Sequence, residues 1–152
     1  MSCSVIYHSH ASQLIGFIRA LRSSIRLEGI TINAVAPAAT ITNLLPAHLA
    51  APIIAAGLPI STAEFVGLAL VHSATAAQSG IVELYGKDAT ELLDTSSKWN
   101  GRTILTLGDQ YTELEGPIAA LRQQWFGERN TELTRLQQAS TDFRKSPEDS
   151  SA

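Results

Sequence analysis

An amphipathic helix that meets a β-branched strand through a single glycine constrains this chain more than any other feature. Across residues 7–28, Leu14, Ile15, Phe17, Ile18, Leu21 and Ile25 recur at spacings of three and four, which lays a wide apolar stripe along a helix. Gly29 follows Leu27 and Glu28 and suits a left-handed helix stop. Ile30-Thr31-Ile32-Asn33-Ala34-Val35-Ala36 then forms a β-branched run closed by Pro37, the pattern of a buried strand. A helix and a strand joined this tightly imply layered packing, so the expected class is α/β.

Beyond Pro37 the pattern loosens. Residues 42–59 are rich in alanine, leucine and proline, predicting short helices near 43–49 and 52–56 with a break at Gly57-Leu58-Pro59. Ser61-Thr62-Ala63-Glu64 has the form of a capping box with Ser61 as the cap, opening a helix to about Ser73. Residues 81–86 suggest a short strand, and 87–100 a polar excursion with a helical turn near 91–93. Asn100-Gly101 turns the chain into a second strand, 102–108. Glu115-Gly116-Pro117 starts a helix carrying Ile118, Leu121, Trp125 and Phe126, with proline favoured in the first turn. A last helix, 131–143, has only Leu133, Leu136 and Phe143 as large apolar anchors and must dock weakly or on a partner. One domain over 1–144 and a disordered tail over 145–152 are expected.

Composition narrows the partners. Hydrophobic residues make up 45% of the 152 and charged residues 16%, which fits one folded domain. A net charge of −3 gives no footprint for nucleic acid or an acidic membrane surface. The longest apolar region, 34–70, is interrupted by Pro37, Pro46, Pro52, Gly57, Pro59 and Glu64, so no membrane span is expected. The first six residues lack a basic start and a long apolar run, so they do not read as a secretory signal, and a cytoplasmic location is the default. Cys3 stands alone, which leaves no intramolecular disulfide or cysteine-built zinc site. His8, His10, His48 and His72 read as scattered surface histidines, and no metal is expected.

Four pieces in order carry a resemblance. Tyr7-His8-Ser9-His10-Ala11 runs into Gly16-Phe17, with Tyr7 nine residues before Gly16. Ile32-Asn33-Ala34-Val35-Ala36-Pro37 follows, then Pro37-Ala38-Ala39-Thr40-Ile41-Thr42. Asn100-Gly101-Arg102-Thr103-Ile104 comes last, with Glu113-Leu114-Glu115-Gly116-Pro117. Together they resemble the second half of the short-chain dehydrogenase/reductase family, particularly its hydroxyprostaglandin-dehydrogenase-like, fungal-type members. The resemblance implies the C-terminal remnant of a Rossmann-like, doubly wound parallel sheet. It also implies an alcohol/ketone oxidoreductase lineage using NAD(P), within a natural-product pathway.

The departures are as informative as the matches. The family's tyrosine is followed four residues later by a lysine that lowers its pKa and grips the cofactor ribose; here position 11 is Ala. An unperturbed phenol titrates near pH ~10 and is a poor base at neutrality. Tyr7 and His10 are the catalytic candidates, His10 partly standing in for the lysine. An aromatic at the start of a helix is the plain alternative for Tyr7. No Gly-rich phosphate-binding turn occurs at a strand-to-helix junction. No cofactor is therefore expected for this chain alone, and NAD(P) only if another chain supplies the nucleotide half. Ala38 replaces the glycine of the family's Pro-Gly turn, costing about 1 kcal/mol if that position needs positive φ. Thr42, Leu45, Leu49 and Ile53, with Leu44 and Ile54, fall in the family's substrate lid and could line an apolar pocket or simply pack. Glu113 and Glu115 read as solvated charges.

Without a neighbour upstream, the 30–36 strand would sit in a two-stranded remnant with a bare edge, and the helix stripe would need new cover. A homo-oligomer or a protein partner is therefore expected. Three functions remain open: an oxidoreductase of the family, a cofactor-independent isomerase, cyclase or dehydratase acting as a dimer on a small apolar substrate, and a non-catalytic partner-binding protein.

Overall fold

A computed structural model of the chain describes residues 3–144, with side chains from Gln13 onward; the predicted tail, 145–152, lies outside the described residues. The first helix, α1, spans Cys3–Ile25 and tightens into a 3-10 turn at Arg26–Glu28. Gly29 stops it in the left-handed region at φ 71°, its N–H donating to the Arg26 carbonyl. The predicted strand is shorter and later than 30–36: β1 covers Ala34–Pro37. Two asparagines explain the loss. Asn100 Oδ1 accepts from the Ile32 N–H at 3.1 Å, and Asn33 Oδ1 accepts from the Arg102 N–H at 3.0 Å. Side-chain amides thus take two of the backbone N–H groups ahead of the strands, and the Gly101 N–H donating to the Ile32 carbonyl at 2.7 Å carries the backbone contact on to residue 32.

The sheet has three strands where two were expected. β4 (Thr103–Leu107) lies in the centre, parallel to β1 and antiparallel to β5 (Gln110–Glu113). β5 follows β4 through the two-residue Gly108-Asp109 turn, and its polar sequence disguises it as loop. Between β1 and β4 the chain makes β2 (Thr40–Ile41), α2 (Ala47–Ala55), β3 (Ser61–Thr62) and α3 (Ala63–Thr75). β2 and β3 pair in parallel as a separate ribbon. α3 packs across β1 and β4, which makes β1–α3–β4 a parallel crossover unit. The class is mixed α/β, as expected.

Local chemistry moved several boundaries. One helix, α2, replaces the two expected over 43–56. It starts only after Pro46, because the Thr42 hydroxyl accepts from the N–H groups of Leu44 and Leu45 and closes a turn ahead of it. Thr62, not Ser61, caps α3, its hydroxyl accepting from the Phe65 N–H at 3.2 Å. Ser61 is buried in β3 instead. The Glu64 carboxyl turns back on its own backbone N–H and the Thr62 hydroxyl, which holds it below its ordinary range. Residues 81–86 form no strand; a single bridge joins Ile81 to Asn100. The helix expected after Pro117 breaks at Leu121 into α4 (Glu115–Ala120) and α5 (Arg122–Phe126). α6 spans Glu128–Ser140, ending before Phe143, which is exposed.

Among the described residues the buried apolar side chains are Ile18, Ala50, Ala69 and Ile104, while eight polar residues are buried as well. Leu14, Phe17, Leu68, Leu70 and Val71 are each more than half exposed. The edge of β1 away from β4 has no partner strand among the described residues. No described helix is long and apolar enough to cross a membrane.

Candidate functional site

The residues picked from sequence do not converge on one described centre. Tyr7 and His10 fall in the first half of α1, and their side chains lie outside the described residues. Thr42 is exposed, with its hydroxyl occupied by the local turn. Leu45 and Ile53 are half-buried, while Leu49 is exposed. Leu49 and Ile53 stand one turn apart on α2, and the segment presents an open apolar face. Position 38 makes no demand for glycine: Ser79 is the non-glycine residue with positive φ among those described. The Ala38 N–H donates to the Thr106 carbonyl at 3.0 Å. The expected strain at Ala38 is therefore absent.

What the fold does assemble is a seam of arginines and carboxylates. Arg19 and Arg22 lie three apart on α1, on one side of the helix. Glu115, the first residue of α4, is 3% exposed. It accepts a fork from Arg19, Nε to Oε2 at 2.8 Å and Nη2 to Oε1 at 2.9 Å. Arg22 Nη1 reaches the same Oε2 at 3.3 Å. Arg22 Nη2 and Arg122 Nη2 share Glu83 Oε2, at 2.9 and 2.8 Å. Glu113 sets α4 in place: its two oxygens accept from the N–H groups of Glu115 and Gly116, both at 2.9 Å. Arg102 Nη1 pairs with Glu113 at 3.1 Å. The two glutamates expected to be solvated charges are thus both structural, because every oxygen finds a donor.

The two α1 arginines that share Glu115 shift in opposite directions. The hydrogen bond from Arg19 to Glu115 raises the Arg19 pKa against a smaller burial effect. Burial lowers that of Arg22, which is far less exposed, and the repulsion of Arg19 and Arg122 adds to it; Glu83 and Glu115 offset part of this. Both stay charged at neutral pH, since an arginine starts above ~12. A second cluster closes the C-terminal end. Asp142 accepts from Arg144 at Nε and Nη2, and from the Lys87 N–H at 3.0 Å. The Arg144 hydrogen bond is the main cause that holds the Asp142 carboxyl well below the usual range.

Sequence reasoning missed this seam. The readable signal was two arginines three apart beside Ile18 and Leu21, a charge pair beside a stripe otherwise bound for burial. His72 is not a scattered surface residue either: its ring packs edge-on against Trp99 at 4.9 Å and tilted against Tyr111 at 5.2 Å. No group of three potential metal ligands occurs among the described residues.

Two cavities adjoin the seam. A small one of about 200 Å³ is lined by Arg19, Arg22, Arg122, Ser23 and Tyr85. A larger cleft of about 500 Å³ lies between the 82–84 loop and helices α4–α6. Neither is lined by Thr42, Leu45, Leu49 or Ile53.

Comparison with known proteins supplies the family context. The chain is 59% identical over 139 residues to the short-chain dehydrogenase/reductase prx4 of Penicillium rubens, and equally to prx4 of Penicillium roqueforti. In each case 91% of this chain and 42% of the relative are covered. The short-chain dehydrogenase/reductase ATR7 of Stachybotrys chlorohalonatus is 48% identical over the same length. The chain spans less than half the length of these curated relatives. No protein-family profile matches it, and no solved structure does.

Proposed function

We propose that the chain is part of an alcohol or ketone oxidoreductase of the short-chain dehydrogenase/reductase family, and that these 152 residues alone do not hold NAD(P). The identity of 59% with relatives of that name carries the reading. The parallel unit β1–α3–β4 agrees with it, being the kind of unit from which a doubly wound sheet is built. The finer lineage, close to hydroxyprostaglandin dehydrogenases and set in a natural-product pathway, belongs to the same proposal and rests on the motifs quoted above. A cytoplasmic setting does too.

The residues present do not fit a nicotinamide cofactor. No Gly-rich turn leads from a strand into a helix N-terminus, where the pyrophosphate would sit. At the Pro37-Ala38 turn the Ala38 N–H is already spent on Thr106. Position 11 is Ala, so Tyr7 has no ammonium one turn along to lower its pKa. At neutral pH Tyr7 can give a proton to an alkoxide but is a weak acceptor of one from an alcohol. Titration calorimetry of the 152-residue chain with NADPH and NADH tests the proposal. No saturable heat is expected; a saturable isotherm with a micromolar Kd would overturn it.

A second reading, that the chain is covered by a copy of itself or another protein, is favoured by one observation. Leu14 and Phe17, 55% and 56% exposed, stand on the outer side of α1. An apolar stripe of this kind marks an interaction surface. Sedimentation velocity should find the chain associated and Phe17→Glu shifted toward the monomer; a wild-type monomer at micromolar concentration excludes self-association.

A further inference from the structure

The seam does not balance its own charge. Three guanidinium groups, Arg19, Arg22 and Arg122, face two carboxylates, Glu83 and Glu115, which leaves one positive charge over. All three arginines line the small cavity. Arg122 Nε is buried and has no acceptor, an unmet donor on the residue that lines both cavities. The two cavities share Glu83, Leu84, Arg122 and Gln138 and so adjoin across these side chains. Beyond Arg122 the larger cleft turns apolar, walled by Val82, Leu84, Leu93, Ala119, Ala120 and Phe126. Arg135 on α6 lies between this cleft and a neighbouring groove that it lines together with Glu128 and Glu132, so its charge has carboxylates beside it. A cleft of about 500 Å³ is within the size range of small-molecule sites.

We propose that these adjoining cavities bind an amphipathic carboxylate, its head group on Arg122 and its apolar chain along Leu84, Leu93, Ala119 and Phe126. One uncompensated charge calls for a monoanion, and the planar oxygen pair of a carboxylate matches the fork of a guanidinium. The site lies apart from the segment 42–58 and does not depend on the oxidoreductase reading, since such a ligand carries no nucleotide.

Octanoate is the probe and 1-octanol its uncharged control, followed by amide chemical shifts of the 15N-labelled chain. Octanoate should shift Leu84, Ala119 and Phe126 saturably, with 1-octanol at least tenfold weaker. Arg122→Gln should weaken octanoate at least tenfold. Ala119→Phe, which fills the cleft and leaves the ion pairs alone, should weaken it comparably and decides the matter if Arg122→Gln does not fold. No saturable shift with octanoate, equal binding of octanol, or unchanged octanoate binding in the folded variants would overturn the proposal. So would concentration-dependent shifts at these residues without octanoate, which would give the cleft to a second copy of the chain.

Discussion

In the segment 42–58 Leu44 stands 86% exposed, and Leu49, Ile54 and Leu58 are each more than half exposed. In the segment 113–122 Glu115 is nearly sealed and holds two arginines, while Glu113 organises the start of α4. The apolar stretch faces outward and the charged stretch faces inward. Burying charge is tolerable when each oxygen and each N–H finds a partner, and the seam meets that condition almost completely. The apolar face has no such internal answer among the described residues.

The comparison breaks most directly at Glu115. Glu115→Gln removes the buried negative charge that Arg19 and Arg22 share and points an NH2 donor at one of their N–H groups, and it should cost about 3–5 kcal/mol of unfolding free energy. Leu49→Ala, on the open face, should change it by less than about 0.5 kcal/mol. Urea denaturation of the two variants against the parent reads the difference. Equal midpoint shifts would mean that the seam is no better buried than the segment 42–58.

Gly101 sharpens the same contrast from the backbone side. It sits at φ 75°, and a Cβ there would run into the side chain of Arg22. Gly101→Ala should therefore cost at least about 1–2 kcal/mol for the left-handed conformation alone. The Arg22 contact adds to that. In an Arg22→Ala background the penalty of Gly101→Ala should shrink, a coupling that thermal unfolding of the four species measures. Strict additivity would show that Gly101 and Arg22 do not meet.

How far the chain could be read from its letters follows the same division. Periodicity found α1, Gly29 and the β4 strand, because these are set by local spacing and by a residue that alone tolerates positive φ. It missed β5, whose residues Gln110, Tyr111, Thr112 and Glu113 look like loop until Thr103–Leu107 offers its ladder. It misplaced the cap at Ser61, since Ser61 is buried in β3 with its N–H donating to the Ala39 carbonyl, which leaves the Thr62 hydroxyl to cap α3. The ionic seam was invisible because its members are separated by as many as 96 residues. No local pattern states that Arg19 will meet Glu115, or that Asn33 and Asn100 will stitch β1 to β4. The candidate lid was legible in composition, but composition says nothing of which way a leucine will face.

A smaller effect is expected at Asp142, and its sign is fixed by the direction of the shift. The carboxyl is held below its ordinary range in the folded chain, against about 3.9 when unfolded. Its contribution is therefore complete above the unfolded pKa and is lost as pH falls through the folded one. Asp142→Asn should flatten the acid limb of a stability–pH curve below about pH 4 relative to the parent. The loss at neutral pH should stay below that of Glu115→Gln, because Arg144 keeps the Asp88 carboxylate and the carbonyls of Tyr85 and Ser23. Parallel acid limbs in parent and variant would take Asp142 out of the pH response.

The smallest thermodynamic effect belongs to the most exposed side chain of the segment 42–58. Leu44→Ser removes an apolar side chain that is 86% exposed, so little burial is lost and the unfolding free energy should stay within about 0.5 kcal/mol. Its backbone N–H keeps the Thr42 hydroxyl, so the turn before α2 should persist. What should fall is binding of an apolar dye such as ANS, because the outward face loses its most prominent leucine. A drop in dye fluorescence at unchanged stability would separate the function of this face from the folding of the chain. A loss of stability above about 1 kcal/mol would mean instead that Leu44 is covered in solution, and the contrast between an outward apolar segment and an inward seam would fail at its apolar end.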